Sequence, residues 1–557
     1  MSASSKKKIR KEQATAQLTE RQRKERKEAK KLKIYSIVFT VIIAVILATA
    51  LTVMTAKGIE NSGMINKFTT ALTIGEHKVN TVEMNYYYLD AVTQTYNQWE
   101  SIYGESISTM IAMMGLDLTQ PLDQQPYYDE GTTWADYFMD IAVENALSDY
   151  ALSDAATAAN FTLSETEEAS LTSQLGTMEM QASISGYNSI DQYIAAYYGN
   201  GATYASYQKY VKRSALANAY YNNFNETQEI TPEQITAHAT EHPNDYASFS
   251  FAEYEVSVDS FLGEGTTDEN GTVSHTDAEV AAAKDAAKAA AEELAKATTV
   301  EELDAAISAM DINKEAEEVV TTTKSENVLF TSLAEKYRTW LSEDGRKIGD
   351  IGVIEDSTTS TDADGNETTT VNGYIVICYT GTNDNMEAMN NVRHLLVCPI
   401  AEEDEETGEE SVSEEAWNIA KNTAEMHLDA WKKSDGTEEG FIEMVNESSE
   451  DQASVENGGL YENIHRDSNY EPAFQEWAID PARTVGETGI VKTSYGYHIM
   501  YYVGRTETTY RDYMIAEELR TAALEAWYDS TLEAVTVTRE NLSRVNTSSI
   551  LFAASGA

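Results

Sequence analysis

The chain has 557 residues, with 40 Lys and Arg against 92 Asp and Glu, a formal net charge of −52 and only two cysteines. At about 100–200 residues per domain, this length predicts three or four domains. A charge this negative argues against a general nucleic-acid-binding protein, because nucleic-acid phosphates would be repelled. Two cysteines are too few for a disulfide scaffold or a four-cysteine metal site. The composition indicates a large acidic globular protein and implies no metal and no cofactor.

The charge is divided unevenly along the chain. Residues 1–33 hold 13 Lys and Arg against four Asp and Glu, a net of +9, so the remainder carries about −61. Ile34–Ala56 contains no charged residue. As a helix it would extend about 35 Å, enough to cross a hydrocarbon core of about 30 Å. The positive-inside rule then predicts that residues 1–33 are cytoplasmic and that the bulk of the chain lies outside the membrane.

A cleaved signal peptide is the alternative explanation of this apolar segment. Ala48–Ala50 and Met54–Ala56 both offer the small residues that a signal peptidase prefers. However, the basic segment is long and the apolar run exceeds the usual length of about 7–15 residues. The pattern favours an uncleaved signal-anchor at residues 34–56.

Residues 57–245 are predicted to form a mostly helical domain. Ala71–Ile74 and His77–Val79 alternate around Gly75-Glu76, which predicts a hairpin. Asn80 or Thr81 is expected to cap the following helix. Tyrosines recur through the helical region, and two explanations stay open. They are either amphipathic core residues or an aromatic surface for unfolded polypeptide.

From Tyr246 onward, one order of elements occurs twice: strand, loop, helix, glycine turn, helix and returning strand. In the first copy the expected elements are the strand Tyr246–Val258, the Ala-rich helix Ala278–Ala297, a loop at STTSTDADGNETTT and the strand Gly373–Gly381. In the second copy they are the strand Asn390–Ile400, a helix near Ala416–Lys432 and the strand Tyr495–Gly504. The sequence predicts an α+β chain with tandem modules at 246–385 and 386–506, and a C-terminal helix and tail at 507–557.

Three segments of the second module resemble the parvulin family of peptidyl-prolyl cis/trans isomerases. Val392–Val397 looks like the family's first-strand motif, and Gly458-Gly459-Leu460 looks like its double-glycine turn. Gly486–Val503 looks like its closing segment, with the pattern Val-x-Thr-x-x-Gly-Tyr-His-Ile. The resemblance covers roughly Asn390–Arg505. With the predicted anchor and helical region, the chain is similar to exported foldases of the PrsA/SurA type, whose helical chaperone domain is built from segments on both sides of the isomerase domain.

The resemblance implies a role for six residues. His394 and His498 correspond to the paired histidines of the sheet, and Asp451 falls near the position that faces the substrate amide. Leu460 and Phe474 match the apolar residues that cradle the proline ring, and Tyr470 stands in the pocket wall where Met is common. Rotation about an X–Pro bond has a barrier of about 20 kcal/mol, and lowering it by only about 5 kcal/mol gives a useful rate. No metal, cofactor or covalent intermediate is required for that reduction.

The sequence departs from the family in both modules. The Asp that usually follows the double glycine is absent, and Tyr461-Glu462-Asn463-Ile464 replaces the usual continuation. In the first module, Phe249 and Ile375 are expected where the two histidines would stand. The resemblance therefore implies that residues 246–385 form an isomerase-like domain without activity.

Three functional hypotheses follow. The first is a membrane-anchored prolyl isomerase, outside a Gram-positive-type cell, that accelerates folding of secreted proteins. The second is a holdase chaperone that uses its isomerase-like modules as scaffolds, and the third is a structural envelope protein. For the first two, the expected partners are unfolded or proline-containing exported polypeptides, with cationic segments attracted to the acidic chain. No nucleic-acid partner is expected, and nothing in the sequence specifies an oligomeric state.

Overall fold

The structure, a computed structural model, describes residues 6–7, 63–128, 131–267, 273–314, 316–361, 365–403, 410–434 and 436–545. The predicted membrane helix Ile34–Ala56 and nearly all of the basic segment lie outside these residues. Within the described ranges, no helix is both long and apolar enough to cross a membrane. The described residues form two compact units. One comprises those up to Gln228 and from Ala522 onward, and the other is Glu229–Thr521.

Helices and strands occur in both units. The helices, in chain order, are α1 Met64–Phe68, α2 Thr81–Tyr103, α3 Ile107–Met113, α4 Trp134–Ala158, α5 Glu165–Ile184, α6 Ile190–Tyr198, α7 Tyr204–Thr227, α8 Pro232–Glu241, α9 Asp277–Leu294, α10 Val300–Ser308, α11 Glu335–Leu341, α12 Glu414–Lys433, α13 Glu438–Ser448, α14 Gln452–Val455, α15 Pro472–Ile479 and α16 Tyr510–Glu533. The strands are β1 Thr70–Ile74, β2 His77–Asn80, β3 Ser248–Ser257, β4 Thr266–Thr267, β5 Val273–Ser274, β6 Thr323–Leu329, β7 Ile351–Thr361, β8 Glu367–Asn383, β9 Ala388–Val397, β10 Glu402–Glu403, β11 Glu410–Ser411, β12 Leu460–Ile464, β13 Thr488–Lys492, β14 Tyr497–Thr509 and β15 Val537–Arg539. The α+β prediction is confirmed.

The first unit joins segments from the two ends of the described chain. Strand β1 pairs with β2 on one side and with β15 on the other, both antiparallel. The hairpin and the cap are as predicted, since the Asn80 side chain accepts a hydrogen bond from the Glu83 amide at 3.0 Å and begins α2. The C-terminal strand therefore completes a sheet that the N-terminal hairpin starts.

Tyrosine is a core residue of the first unit. Tyr86, Tyr87 and Tyr88 are consecutive and all buried, so α2 is covered on more than one side. A polar partner satisfies the Tyr86 hydroxyl, which lies 2.7 Å from the Ser206 hydroxyl. Burial of all three rings matches the core explanation of these tyrosines, not the surface one.

The second unit contains two four-stranded antiparallel sheets with the same strand order. The first runs β6-β3-β8-β7 and the second runs β12-β9-β14-β13. In each, the first and fourth strands of the module pair at the centre, and the second and third strands form the edges. The same topology, laid out twice along the chain, supports a tandem repeat of one module.

A tryptophan that packs on a glycine recurs in both sheets. A Cβ at Gly352 would lie 2.4 Å from the Trp340 indole nitrogen, and one at Gly489 would lie 2.5 Å from that of Trp477. An arginine covers each indole: Arg346 lies 3.8 Å above the Trp340 ring, and its counterpart above Trp477 lies at 4.4 Å. Glycine is required at both places because the indole occupies the space of a side chain.

One predicted loop of the first module is wrong. Residues 357–370 were expected as a loop, but β7 and β8 continue through most of them, with Thr358 opposite Thr370 and Thr361 opposite Glu367. Threonine is β-branched and fits an extended strand, and pairing of the two arms satisfies their backbone groups. The segment is therefore a long hairpin whose tip, residues 362–364, lies outside the described residues.

The double-glycine turn is built against a neighbouring backbone. Gly458 and Gly459 have φ values of +69° and +71°, a conformation that L side chains rarely adopt. The Gly459 carbonyl accepts a hydrogen bond from the His394 amide at 2.9 Å. A Cβ on Gly459 would lie only 2.2 Å from the His394 carbonyl oxygen. This turn therefore holds β12 close against β9 beside a histidine.

We expect Gly459→Ala to destabilise the second unit far more than Gly436→Ala. Gly436 also has a positive φ, +62°, but open space surrounds its Cβ position. Both variants carry the left-handed backbone cost of about 1–2 kcal/mol, and only Gly459→Ala adds a clash with backbone. Urea unfolding of each variant measures the difference. Equal losses in the two variants would show that the close approach is not a constraint.

Candidate active site

The two histidines of the second sheet come from its two central strands. His394 lies in β9 and is opposite Met500 in β14, and His498 precedes Met500 by two residues. Alternation along a strand places His498 and Met500 on one face, the face that also carries His394. Both histidines are buried, with 2% and 6% of their surface exposed. The sheet therefore brings the two predicted histidines together.

A continuous chain of hydrogen bonds runs through these imidazoles. The Nδ1 atoms of His394 and His498 are 3.0 Å apart. At one end, Asp451 Oδ2 lies 2.9 Å from His394 Nε2, and at the other, Thr493 Oγ1 lies 2.8 Å from His498 Nε2. Ser454 and Tyr461 also donate to Asp451 Oδ2. Every ring nitrogen of the pair thus has a partner.

The contacts accommodate a single direction of proton donation along this chain of hydrogen bonds. The Thr493 hydroxyl accepts from the Tyr495 amide at 3.2 Å, so it can donate to His498 Nε2. With Nε2 as acceptor, neutral His498 donates through Nδ1 to His394, and His394 donates through Nε2 to the Asp451 carboxylate. Each group then donates in one direction, from the threonine to the aspartate.

The electrostatics agree with that order. The hydrogen bond from His394 holds the pKa of Asp451 well below its ordinary value, although partial burial acts in the opposite direction. Burial, with a smaller contribution from neighbouring His394, lowers the pKa of His498 to about 4. Burial and the Asp451 charge raise the pKa of Tyr461 to about 12. At neutral pH Asp451 is therefore ionised and His498 is neutral.

Backbone contacts fix Asp451 beside β9. Ser449 is buried, and its hydroxyl accepts hydrogen bonds from the amides of Leu396 and Asp451, at 3.2 and 3.3 Å. The Glu450 amide donates to the Leu396 carbonyl at 3.0 Å. The segment between α13 and α14 therefore lies against the strand that carries His394. Asp451 reaches the histidine because the two residues that precede it both hydrogen-bond to that strand.

Two aromatic rings pack against the histidines, and a third packs against those two rings. Phe474 is buried, and its ring centroid lies 5.3 Å from those of both His394 and His498. The ring of Tyr461 lies 4.9 Å from His394 and 5.7 Å from Phe474. Tyr470 lies 5.5 Å from Tyr461 and 5.6 Å from Phe474, and 38% of its surface is exposed. We call Tyr461, Tyr470 and Phe474 the aromatic cluster; Tyr470 forms its exposed edge.

Leu460 does not lie in the aromatic cluster, whereas Phe474 and Tyr470 do. Leu460 pairs with Arg393, one position before His394, and Tyr461 pairs with Val392. Because side chains alternate along a strand, Leu460 points to the face opposite His394. Tyr461, to which the sequence analysis gave no role, takes the place that was predicted for Leu460. The sequence did contain a signal for Tyr461. It lies two residues after Gly459, which pairs with His394, so alternation along the strand places it on the same face as the histidine.

Thr493 is the second residue to which no role was assigned. It is buried and ends the hydrogen-bond chain at His498. The sequence contained a signal for it, the Thr of the Val-x-Thr-x-x-Gly-Tyr-His-Ile pattern, but the pattern alone does not say what its hydroxyl contacts. Within the described ranges, no group of three or more His, Cys, Asp or Glu side chains could hold a metal ion.

In the first sheet, one of the two positions that correspond to the histidines differs from the expected one. Ile377 lies opposite Glu253, as Met500 lies opposite His394, so the register puts Glu253 and not Phe249 at the first histidine position. The expectation for Phe249 is wrong because it assumed a register shifted by four residues. Ile375 does occupy the second position, two residues before Ile377. An isoleucine there cannot continue a hydrogen-bond chain.

Comparison with known families identifies the class of this site. The family described as "PPIC-type PPIASE domain" matches residues 377–505, which include both histidines, Asp451 and the aromatic cluster. The chain thus contains a parvulin-type peptidyl-prolyl isomerase domain, as the three motifs predicted. A search of curated proteins gave no match.

Solved structures of foldases show local similarity to the chain. PrsA from Bacillus cereus is 18% identical, with 27% of this chain and 50% of that chain covered and a TM-score of 0.17. PrsA from Bacillus subtilis is 21% identical, with 27% and 54% covered and a TM-score of 0.17. A SurA-like chaperone of Campylobacter jejuni is 11% identical, with 67% and 84% covered and a TM-score of 0.16. The chain spans about half the length of these PrsA structures.

The buried His498 makes stability depend on pH. The unfolded chain binds a proton at this residue below about pH 6.5, whereas the folded chain does so only below about pH 4. The folded state therefore gains stability as pH rises from about 4 to 6.5, by about 3 kcal/mol in total. We expect His498→Gln, whose amide can both donate and accept, to remove this dependence.

Urea unfolding of the unsubstituted chain and of His498→Gln between pH 4 and 7 measures this pH dependence of stability. The difference between the two pH profiles removes the contribution of His465, whose pKa is also lowered by burial and which is common to both proteins. Parallel profiles would contradict the neutral, buried imidazole.

Proposed function

We propose that the chain is an extracytoplasmic foldase whose second module catalyses peptidyl-prolyl cis/trans isomerisation. The observation that carries the proposal is the chain from Thr493 through His498 and His394 to Asp451, beneath the aromatic cluster. The cluster supplies apolar ring faces for a pyrrolidine ring, and the carboxylate supplies a fixed charge beside it. Catalysis by such a site needs only the preferential binding of the twisted amide.

Asp451 has capacity to contact a substrate. Within the part of the chain that the structure describes, all hydrogen bonds to this carboxylate end on Oδ2. Oδ1 is therefore available to accept a hydrogen bond from a substrate N–H that follows the proline. His394, Ser454 and Tyr461 fix the carboxylate in place, so little reorganisation accompanies rotation of the amide. Lowering the barrier by about 5 kcal/mol would raise the rate about 10³- to 10⁴-fold.

The proposal also includes where the protein acts and which polypeptides it binds. The basic residues 1–33, the apolar segment Ile34–Ala56 and the strongly acidic remainder support a membrane anchor, with both modules outside the membrane. Clients are unfolded exported polypeptides that contain proline. The first module, with Glu253 and Ile375 in place of the two histidines, is proposed to lack isomerase activity.

Asp451→Asn should lower kcat/KM for an Xaa-Pro tetrapeptide by about tenfold or more, a loss of about 1.4 kcal/mol in transition-state stabilisation. The amide keeps the size of the side chain but removes the charge that orients His394. Glu450→Gln is the matched control, because that carboxylate accepts from the Cys398 amide and not from the histidines.

A protease-coupled assay on the full chain measures both variants. If the unsubstituted chain shows no rate above background, or if both variants retain full activity, the isomerase proposal fails.

Holdase activity is a second candidate, favoured by apolar side chains exposed on the first unit. Phe68, Met113 and Ile184 have 84%, 80% and 71% of their surface exposed. Exposed apolar side chains offer surface on which the apolar segments of an unfolded polypeptide can be buried. In this role the chain would bind unfolded clients whether or not they contain proline.

We expect the full chain to suppress aggregation of a proline-free client, and Asp451→Asn to leave that suppression unchanged. Met113→Asp with Ile184→Asp should weaken it, because both changes place a charge where client apolar surface would bind. Ile348→Asp is the control, since Ile348 is 74% exposed but lies in the other unit. Light scattering of the client on heating gives the measurement, and equal suppression by all variants would contradict this role for the first unit.

A further inference from the structure

The connector between β12 and α15, residues 465–471, forms one wall of the aromatic cluster. It carries Tyr470, whose ring contacts both Tyr461 and Phe474. The C-terminal end of the connector is held by Glu471, whose carboxylate accepts from the Ser494 hydroxyl at 2.9 Å and from the Ser494 amide at 3.3 Å. The position of Tyr470 also depends on what holds the other end.

Arg466 holds the N-terminal end of the connector, and its side chain contacts residues outside the second sheet. Its Nη2 lies 2.6 Å from the Ser248 hydroxyl and also donates to the Asn385 side-chain oxygen. Its Nη1 donates to Glu387 at 2.7 Å. Ser248 is the first residue of β3, and Asn385 and Glu387 lie between β8 and β9. The guanidinium therefore ties the connector to the first sheet and to the segment that joins the two sheets.

Two of the three side-chain acceptors of Arg466 are shielded from water. Ser248 and Asn385 are both fully buried. The Asn385 amide donates to the Tyr246 carbonyl at 2.7 Å and to the Ser248 hydroxyl at 3.1 Å, which fixes its oxygen toward the arginine. Removing the guanidinium would take one hydrogen-bond donor from each of these buried groups, and water could not replace it as it would at a surface.

A hydrogen-bond path leads from this anchor to the aromatic cluster. The Arg466 carbonyl accepts from the Gln475 side-chain amide, and the oxygen of the same Gln475 side chain accepts from the Tyr470 amide at 3.4 Å. Gln475 directly follows Phe474 in α15. The backbone position of Arg466 is therefore coupled through one side chain to that of Tyr470.

We propose that Arg466 is a positioning residue for the substrate pocket, through which the first module fixes the Tyr470 wall of the second module's site. This rests on the isomerase function proposed above. It gives the first module a role that requires no histidines: its β3 end supplies fixed, buried acceptors. Loss of the anchor should free the connector and weaken substrate binding, while the His394–Asp451 pair keeps its geometry.

Arg466→Met should raise KM for an Xaa-Pro tetrapeptide about tenfold while kcat stays within about twofold. Ser248→Ala should raise KM by less, because Asn385 and Glu387 still accept from the guanidinium. The double variant should bind no more weakly than Arg466→Met, because removing the guanidinium already breaks the contact with Ser248. Arg466→Lys keeps a cation that reaches fewer acceptors and should give an intermediate KM. Arg346→Met is the matched control, since Arg346 covers a tryptophan of the first module and does not contact Ser248 or Asn385.

Hydrogen–deuterium exchange on the full chain gives a readout independent of activity. Amides of residues 465–471 should exchange faster in Arg466→Met and Ser248→Ala but not in Arg346→Met. An inactive unsubstituted chain would refute the isomerase function. Hydrogen–deuterium exchange would still test whether Arg466 holds the connector, because exchange does not depend on activity. If Arg466→Met does not fold, Ser248→Ala decides. Unchanged KM and unchanged exchange in a folded variant would overturn the proposal, as would an equal effect of Arg346→Met.

Discussion

Burying two imidazoles at the centre of an antiparallel sheet is the constraint on which the second module depends. An unpaired ring nitrogen there would lose its hydrogen bonds to water without compensation, so each of the four needs a partner inside the protein. Thr493 at one end and Asp451 at the other supply the partners that the strands cannot. The charge is placed at the end of the chain of hydrogen bonds, where Asp451 is only partly buried, and not between the two rings.

The glycine turn and the Ser449 contacts follow from that constraint. Asp451 can reach His394 only if the segment after α13 lies against β9, and the Ser449 hydroxyl achieves this by accepting two backbone amides. The same approach leaves no room for a Cβ at Gly459. The first sheet has the same strand order and the same glycine–tryptophan contact without the histidine pair. The frame of the module is thus independent of the polar network, and one copy can lose the network and keep the frame.

Much of the fold was predictable from local patterns. The hairpin at Ala71–Val79, its Asn80 cap, the central strands of both sheets and the repeated order of elements all depend on alternation, capping and turn residues, which act between neighbours in the chain. The hairpin at 357–370 was missed because threonine-rich polar sequence resembles a loop until its partner strand is considered. The register of Phe249 was wrong for a related reason. A repeat of elements fixes their order, but only cross-strand pairing fixes which residue lies opposite which.

The sequence by itself determined that His394 and His498 belong to one site, because two motifs with fixed spacing place them on strands of one known fold. It also determined the uneven charge of the chain and the apolar segment at 34–56. Only the tertiary structure decided that Tyr461 and not Leu460 faces the histidines, that Thr493 completes their hydrogen bonds, and that Arg466 reaches the first sheet. These contacts join residues distant in the chain, and whether they form depends on strand register and on packing between modules. The spacing of residues along one segment specifies neither the register of a strand with its partner nor the packing between modules.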